Sequence, residues 1–471
     1  VMRWASGKNR RAREAGSSCA QADCRPSASH PLPENPPAAE VYGERGLLGY
    51  PFLTDQVTPI PGYSGKPIRV LVALDARGRI RGIRLLHHEE PILAAGVSEK
   101  ALKHFVEQYQ GLDIQKRFRI GGRERPGYVI LDGLSGATIT AMVINASIER
   151  SAKRIAASRG LLGKPPERNH TPLWKQTWRE RSATIAILVA GLGVLTLILI
   201  FQDPLAQRPR VLKLLRYAFL AFTLLFIGVY AMGQLSVINI LTFLHAATHD
   251  FRWEAFLIDP VLFILWAFVA VVLLLWGRGV YCGWLCPFGA IQEFVQHLGR
   301  WLRLPQLEFP DIVHERLWAL KYVIFLILFG LSLQSLKDAI PYAEVEPFKT
   351  VFALHFQREW PFVAYALAMI LVSAVNRKFF CKYLCPLGGA LAIPARMKLF
   401  DWLRRRKECG RPCQICANEC EVRAIRATGE INPLECQYCL DCQITYWDPY
   451  KCPPLVERRK RRERARRVPG M

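Results

Sequence analysis

The chain has 471 residues, of which 51% are hydrophobic and 11% aromatic, and it carries a formal net charge of +24. This length exceeds one ordinary domain, and the apolar content excludes a mainly disordered protein. The positive charge fits either a nucleic-acid-binding protein or a membrane protein with basic cytoplasmic loops, so the positions of the charges must decide.

Residues 1–44 are rich in Pro, Ser and Ala and are predicted to be disordered, or to be what remains of a truncated N-terminus. No hydrophobic core of a secretory signal is present there. Residues 45–165 follow with the pattern of an α+β domain. Two β-branched runs flank the turn-prone Asp75–Gly78 and predict a hairpin, and a later strand, GYVIL, leads through a loop into a long helix that stops at Gly160.

The loop between that strand and that helix reads DGLSGATIT, from Asp132 to Thr140. A helix N-terminus has free backbone N–H groups, so a loop of small residues in front of it can bind a phosphate. The same residues also fit an ordinary Ser or Thr helix cap. The residues alone leave both interpretations open.

Residues 174–400 contain apolar runs long enough to cross a bilayer, whose hydrocarbon core takes about 20 helical residues. Five spans are predicted, at residues 182–201, 214–233, 259–276, 317–333 and 360–375. Lys and Arg cluster after the first, third and fifth spans, which places these loops in the cytoplasm and the N-terminal domain outside. The basic stretch KQTWRER, before the first span, runs against this orientation.

An internal repeat follows the third and the fifth span, as GRGVYCGWLCPFGA and NRKFFCKYLCPLGGA. Each copy is predicted to lie at the cytoplasmic surface. If the copies are helical, Cys282 and Cys286 share one helix face, and so do Cys381 and Cys385. The two pairs would then meet and bind a metal or a further iron–sulfur centre. Buried structural cysteines or a redox dithiol are the alternatives.

Residues 401–456 hold eight cysteines, spaced C-x3-C-x2-C-x3-C and then C-x2-C-x2-C-x9-C-P. Triplets of this kind predict two [4Fe-4S] clusters, with the fourth cysteine of each half bound to the other cluster. Zinc sites use paired knuckles, and disulfides are rare on a reducing side of the membrane. The first predicted ligand set is Cys409, Cys413, Cys416 and Cys452, and the second is Cys436, Cys439, Cys442 and Cys420.

This spacing departs from the bacterial ferredoxin pattern in two places. The first gap has one extra residue, and Cys420 is followed by Glu421 instead of proline. After the cysteines, residues 457–471 form a basic tail, which fits anionic lipid or solubility better than nucleic acid.

The loop DGLSGATIT matches the D-x-x-[ST]-G-A-T pattern of FMN-binding domains, in which a flavin transferase links FMN to a threonine through a phosphoester. Taken with the paired C-x3-C-P motifs and the terminal CQYCLDCQITYWDPYKCPPLVERRKRRE, the chain resembles the NosR/NirI family over residues 45–460. The resemblance implies three parts. They are an α+β FMN-binding domain, an all-α membrane domain of about five transmembrane helices and a bacterial 2[4Fe-4S] ferredoxin-like domain.

The resemblance also implies a site for the flavin. Thr138 is the expected attachment residue and Thr140 the alternative. The residues expected to shape the site are Asp132, Ser135, Gly136 and Ala137. Family members carry a further outer domain between the flavin domain and the first span, where this chain has only LLGKPPERNHTPLWKQ.

By the same resemblance, the chain is expected to be an electron-transfer component of the bacterial inner membrane rather than a stand-alone enzyme. It would pass electrons between cytoplasmic or quinol donors and a covalent FMN in the periplasm, and so support the expression, maturation or activity of nitrous oxide reductase. The expected partners are the bilayer, a flavin transferase, nitrous oxide reductase with its maturation proteins and the quinol pool. An additional metal or a quinone is a further expected cofactor.

Two other functions remain as alternatives. The first is a redox-sensing transcriptional regulator of denitrification genes, although the sequence has no recognisable helix-turn-helix or zinc finger. The second is a subunit of an ion-translocating ferredoxin oxidoreductase, which would favour acidic residues within the spans.

Overall fold

A computed structural model describes residues 36–43, 46–62, 66–88, 90, 99–121, 127–134, 138–162, 172–248, 251, 253–334, 336–410 and 413–467. In chain order these residues form an α+β domain, a domain of apolar helices and a cysteine-rich domain, so the predicted fold class is confirmed. Residues 37–471 cluster as one compact unit. The predicted disorder of the N-terminus concerns residues that, up to residue 35, lie outside the described ranges.

The N-terminal domain has one antiparallel sheet in the order β1-β2-β3-β4 and a separate parallel pair, β5-β6. The strands are β1 Val41–Gly43, β2 Gly46–Leu53, β3 Arg69–Asp75, β4 Ile80–His87, β5 Arg117–Ile120 and β6 Tyr128–Leu131. The sheet therefore begins before the boundary predicted at residue 45. In the predicted hairpin turn, Oδ1 of Asp75 accepts hydrogen bonds from the N–H groups of Arg77 and Arg79, both at 2.9 Å. Gly78 takes the left-handed conformation that closes the turn, with φ at +78°.

Three helices pack with these strands, namely α1 Thr54–Val57, α2 Glu99–Glu107 and α3 Thr138–Ser158. One face of α3 is apolar at helical spacing, and Ile144, Ile148 and Ile155 on that face are fully buried in the domain core. The helix ends where the sequence predicts, because Gly160 adopts a positive φ. The long helix after the DGLSGATIT loop is thus anchored along its length, and its N-terminus faces the loop.

The middle domain is helical. Its helices are α4 Leu173–Glu180, α5 Ser182–Ile200, α6 Gln202–Ala206, α7 Pro209–Tyr230, α8 Val237–Thr248, α9 Trp253–Leu257, α10 Pro260–Leu275, α11 Pro287–Trp301, α12 Asp311–Gln334, α13 Leu336–Tyr342, α14 Trp360–Val375, α15 Phe379–Tyr383 and α16 Pro386–Ala392. Among the described residues, α5, α7 and α12 are long and apolar enough to cross a membrane, whereas α8, α10 and α14 are shorter apolar helices. The five predicted spans coincide with α5, α7, α10, α12 and α14.

The two outer domains contact opposite ends of α10. Ile258, just before this helix, belongs to the buried core of the N-terminal domain. At the other end, the indole of Trp276 stacks on Trp402 with ring centroids 5.2 Å apart, and the N–H of Leu399 donates to the carbonyl of Leu274 at 2.7 Å. A 16-residue helix is about 24 Å long. The length of α10 therefore separates the two contacts.

The C-terminal domain contains three helices, α17 Ile415–Glu419, α18 Asp441–Trp447 and α19 Pro453–Arg467. Helix α19 begins directly after Cys452 and continues into the basic tail. The boundary predicted at residue 456 therefore falls inside a continuous helix.

A buried carboxylate ties the helical domain together close to the C-terminal domain. The Nε and Nη2 atoms of Arg216 donate to the two oxygens of Glu293, both at 2.8 Å, and Nζ of Lys378 lies 2.9 Å from Oε2 of the same residue. All three side chains are at most 4% exposed. Because α7, α11 and the segment after α14 each supply one partner, this carboxylate joins three parts of the helical domain.

Replacing the carboxylate of Glu293 should lower the stability of the folded protein. Glu293→Gln leaves two buried cations without a counter-charge, and breaking a buried pair in this way costs about 3–5 kcal/mol. We expect a clearly lower thermal unfolding midpoint in detergent for the full-length protein. Glu463→Gln, which removes the exposed partner of Arg459, is the matched control and should change stability by less than about 1 kcal/mol. Equal midpoints for the two variants would contradict a structural role for Glu293.

Candidate redox centres

Four of the eight C-terminal cysteines surround one small cavity. Its lining includes Cys409, Cys413, Cys416 and Cys452. These are the residues of the first predicted ligand set, including the distant cysteine that has to cross from the other half. The sulfur of Cys409 also accepts a hydrogen bond from the N–H of Arg406 at 3.3 Å.

The other four cysteines influence one another electrostatically. Burial raises the pKa of Cys436 to about 11, and burial likewise raises the pKa of Cys439 and Cys442 above the usual range. In each case the nearby Cys420 raises the pKa further. Cys420 therefore lies near the second triplet. The N–H of Tyr438 donates to the sulfur of Cys436 at 3.4 Å.

The two groups of thiols are close neighbours. The thiol of Cys416, in the first group, lies 3.7 Å from the carbonyl oxygen of Cys442, in the second. No disulfide joins any of the twelve cysteines in the described residues. Within the same residues, no three His, Cys, Asp or Glu side chains converge closely enough to hold a single metal ion. Four cysteine thiolates are the usual ligand set of a [4Fe-4S] cluster, so the residue types in each group fit one.

The DGLSGATIT loop is held at its first residue and at the helix that follows it. The side-chain amide of Gln108 binds Asp132 at both backbone groups, accepting from its N–H at 2.8 Å and donating to its carbonyl at 3.5 Å. Thr138 is the first residue of α3. The predicted site residues Ser135, Gly136 and Ala137 lie outside the described residues.

Thr140 has a different environment. It is 5% exposed, and its hydroxyl donates to Oε2 of Glu90 at 3.1 Å. Glu90 is itself buried. A phosphoester on Thr140 would have to displace this buried contact, whereas Thr138 starts the helix where a phosphate meets free N–H groups. No sequence pattern marked Gln108 or Glu90, because both act through contacts that are distant along the chain.

The two C-x3-C-P motifs fold alike but are not continuous helices. Each first cysteine lies in a short helical turn, and each second cysteine caps the helix that starts at the following proline. The sulfur of Cys286 accepts from the N–H of Gly289 at 3.4 Å, and the sulfur of Cys385 accepts from the N–H of Gly388 at 3.3 Å. The condition under which each pair would share one helix face is therefore not met, because the proline starts a new helix.

The two motifs nevertheless come together. Nε2 of Gln292, on α11, donates to the sulfur of Cys381 at 3.0 Å. Nη1 of Arg278, before the first motif, donates to the carbonyl of Gly388 in the second at 2.8 Å. The rings of Phe288 and Phe380 pack edge to face, 5.2 Å between centroids.

Three of the four motif cysteines are buried within the fold. Cys286, Cys381 and Cys385 are at most 8% exposed. A Cβ atom at Gly228, near the end of α7, would lie 2.8 Å from Cβ of Pro287. The chain after α10 therefore enters the helix bundle, reaches Cys286 and returns through α11.

The first motif contacts the second cysteine triplet of the C-terminal domain. Nε1 of Trp284 donates to the carbonyl of Tyr438 at 2.9 Å. Beside it, Gly283 approaches so closely that a Cβ atom there would lie 1.8 Å from the carbonyl oxygen of Gln437. Because Gln437 and Tyr438 lie between Cys436 and Cys439, the loop of the second triplet rests directly on the first C-x3-C-P motif.

Three family models match the chain. An FMN-binding domain matches residues 62–153, a 4Fe-4S binding domain matches residues 258–305 and again 360–408, and a NosR model matches residues 407–463. The chain thus combines FMN-binding and iron–sulfur-binding domains. The 4Fe-4S match covers the two repeats with the C-x3-C-P motifs, and the NosR match covers the eight C-terminal cysteines.

Several relatives of the chain are named NosR or NirI. The chain is 37% identical to Regulatory protein NosR of Pseudomonas aeruginosa, over 90% of each chain, and 55% identical to Regulatory protein NosR of Stutzerimonas stutzeri. It is 49% identical to Protein NirI of Paracoccus denitrificans. The latter two alignments cover 64% and 61% of this chain but 42% of each relative. The first alignment runs over 647 residues, so that relative carries residues within the aligned span that this chain lacks.

Adding a methyl group at Gly283 should weaken the contact between the first C-x3-C-P motif and the loop of the second cysteine triplet. Gly283→Ala forces its Cβ atom onto the carbonyl of Gln437, and strain of this kind costs about 1–3 kcal/mol. We expect the visible iron–sulfur absorbance to be lost at a lower temperature than in the unchanged protein. Gly193→Ala is the control, because nothing lies within 4 Å of a Cβ atom there. If both variants lost the absorbance at the same temperature, the close contact at Gly283 would not be needed for the stability of the iron–sulfur domain.

Proposed function

Because the chain belongs to the NosR/NirI family, we propose that it passes electrons across the bacterial inner membrane, between its iron–sulfur domain and a covalently bound FMN. In this role it supports the expression, maturation or activity of nitrous oxide reductase. The observation that carries the proposal is that the FMN-binding and cysteine-rich domains contact opposite ends of the same membrane helix, α10. The hydrocarbon core of a bilayer is about 30 Å thick and blocks the passage of charge. Electron carriers at both faces would therefore allow electrons to pass from one side to the other.

The orientation follows from the distribution of positive charge. Helix α19 and the segment before Cys409, RRRK, are strongly basic and lie at the C-terminal end, which assigns this end to the cytoplasm. The FMN-binding domain then lies in the periplasm. The basic stretch KQTWRER at the other end opposes this orientation, but it is shorter than the combined basic segments of the C-terminal end.

Eight cysteines would hold two [4Fe-4S] clusters, in the two groups described above. FMN would be joined to Thr138, with the N–H groups at the start of α3 around its phosphate and Gln108 holding Asp132. When bound, the clusters supply one-electron transfer and the flavin supplies one- or two-electron transfer. A quinol fits as donor, since its oxidation to a quinone releases two electrons and two protons, which balances full reduction of the flavin.

The partners follow from this role. A flavin transferase would attach FMN, and nitrous oxide reductase or its maturation proteins would exchange electrons with the periplasmic domain. The chain would be an electron-transfer component and not a reductase of nitrous oxide itself.

A second candidate function is redox-dependent control of transcription. The name of two relatives, Regulatory protein NosR, favours it. Deletion of residues 457–471 separates the two functions. If the tail controls transcription by binding nucleic acid, the deletion should abolish this control and leave maturation of nitrous oxide reductase intact. Binding of the unchanged protein to nucleic acid should then weaken steeply with salt.

The flavin attachment can be tested by mass. Thr138→Ala should remove the covalent FMN mass and the flavin absorbance, because no hydroxyl remains at the start of α3 to form the phosphoester. Iron content should not change. Thr140→Ala is the control and should keep the covalent flavin. Intact-mass measurement of the full-length protein decides, and flavin retained in Thr138→Ala but absent from Thr140→Ala would move the attachment to Thr140.

The orientation can be tested by labelling. Lys100, in the FMN-binding domain, and Lys460, in α19, are both exposed and can each be replaced by cysteine. A membrane-impermeant maleimide should label Lys100→Cys in spheroplasts and Lys460→Cys only in inverted vesicles. Labelling of both positions in the same preparation would rule out carriers on opposite faces.

A further inference from the structure

We propose that a cavity between the end of α10 and the C-terminal domain binds the phosphate headgroup of an acidic phospholipid. The cavity has a volume of about 570 Å³. This size is usual for a small-molecule site, since such sites enclose about 300–1,000 Å³. The site itself depends on contacts at this end of α10, and only its assignment to the cytoplasmic leaflet rests on the orientation proposed above.

The two walls of this basic cavity come from different domains. Trp276, directly after α10, and Trp402, which stacks on it, form one wall, and residues between 405 and 438 form the other. The cavity is not the space of a cluster. It is lined by one cysteine of each predicted ligand set, Cys409 and Cys436, whereas the whole first set surrounds a separate, smaller cavity.

Positive charge predominates around the basic cavity. Its basic lining residues are Lys398, Arg405, Arg406, Lys407 and Arg426, and its acidic ones are Asp401 and Glu430. Asp401 is paired with Lys398. In the described part of the chain, the other four cations form no ion pair with a carboxylate. A guanidinium group holds a phosphate through two parallel hydrogen bonds, so this set of cations fits a phosphate ligand.

An iron–sulfur cluster would account for only part of this charge. Arg406 lies beside the first ligand set, because its backbone N–H donates to the sulfur of Cys409 and its side chain also lines the smaller cavity. Lys407 and Arg426 are exposed and line only the larger of the two cavities. These two cations therefore distinguish a phosphate site from the surroundings of a cluster.

Two buried donors at the basic cavity have no acceptor. Trp276 is 8% exposed, and its Nε1 has no hydrogen-bond partner among the described residues. The same holds for Nε of Arg406. The neighbouring Trp402 differs, because its Nε1 donates to the carbonyl of Leu275 at 3.1 Å. Buried N–H groups rarely stay unpaired, so Trp276 and Arg406 indicate a ligand that brings acceptor oxygens.

The apolar surface beside the basic cavity favours a lipid over a soluble phosphate. Met397, Leu399 and Phe400 are 65%, 67% and 51% exposed. The N–H of Leu399 donates to the carbonyl of Leu274, which fixes this segment to the end of an apolar helix. The acyl chains of a bound lipid lie against these side chains while its phosphate enters the cavity. Basic pockets at the cytoplasmic side of membrane helices bind acidic headgroups, and tryptophan is typical of that interface.

A lipid bound here joins the helical domain to the C-terminal domain. It contacts both walls of the basic cavity, next to Cys409 and Cys436. A ligand that binds only the folded state stabilises that state as its concentration rises. The lipid therefore stabilises the domain that carries the eight cysteines.

The first test uses the full-length holoprotein, purified anaerobically and stripped of lipid with detergent. Phosphatidylglycerol, phosphatidylcholine and inorganic phosphate are added separately, and the iron–sulfur absorbance is followed during heating. Phosphatidylglycerol should raise the temperature at which the absorbance is lost, whereas the other two should not. An equal rise with inorganic phosphate would overturn the lipid assignment. No rise with phosphatidylglycerol, or an equal rise with phosphatidylcholine, would overturn the site.

Variants then locate the bound lipid. Lys407→Gln combined with Arg426→Gln removes two exposed cations of the basic cavity, and native mass spectrometry measures phosphatidylglycerol bound to each chain. The affinity should fall about tenfold or more, because two cations at an acidic headgroup are lost. The matched control, Arg458→Gln combined with Lys460→Gln, removes two exposed cations of α19 that do not line the cavity and should leave the affinity unchanged.

Equal losses of affinity in the two double variants would show a diffuse attraction to acidic lipid and would overturn the cavity as the site. Iron content and covalent FMN should stay the same in both double variants, which separates a loss of lipid binding from a loss of folding. The lipid measurement does not depend on electron transfer, so failure of the proposed function would leave this test intact.

Discussion

Two buried glutamates hold the cysteine-bearing parts of this protein against its membrane helices. Glu293 binds Arg216 and Lys378, and Glu435 binds Lys321, Arg278 at 3.2 Å and the hydroxyl of Tyr322 at 2.9 Å. Charges in apolar surroundings are tolerated only when they are paired and hydrogen-bonded. Since Glu435 directly precedes Cys436, its pairing also fixes where the second cysteine triplet meets the helical domain.

This arrangement bears on how electrons could travel. The eight C-terminal cysteines lie at one end of α10, and the FMN-binding domain lies at the other. In the proposed orientation, a direct step over that distance would be unfavourable because hydrocarbon would separate the two ends. The hairpins that carry the C-x3-C-P motifs reach into this gap. Their backbone is buried in protein at these points, where Gln234 accepts from the N–H of Phe288 and Glu346 accepts from the N–H of Leu387.

The FMN-binding domain makes its contribution through a rigid helix. Three isoleucines on one face of α3 are fully buried in the core, so the N-terminus of this helix is fixed relative to the sheet. The two threonines near that N-terminus then differ in a simple way. Thr140 is turned into the core towards Glu90, while Thr138 begins the helix beside the loop. The two threonines therefore differ in their positions within the first turn of α3, whereas the sequence alone presents them as alternatives.

The sequence by itself determined the three-part order of domains, the five apolar spans, the hairpin at Asp75–Gly78 and the family resemblance. These depend on local properties, namely hydrophobic length, turn residues and cysteine spacing, which can be read over a few neighbouring residues. It did not show that each C-x3-C-P motif is interrupted where the proline starts a new helix.

Only the tertiary structure decided what depends on distant contacts. It buried the two C-x3-C-P motifs within the helix bundle. It also paired Thr140 with Glu90, 50 residues away along the chain. The physical reason is the same in each case: the free energy of such contacts comes from burial and pairing between segments, which no local pattern records.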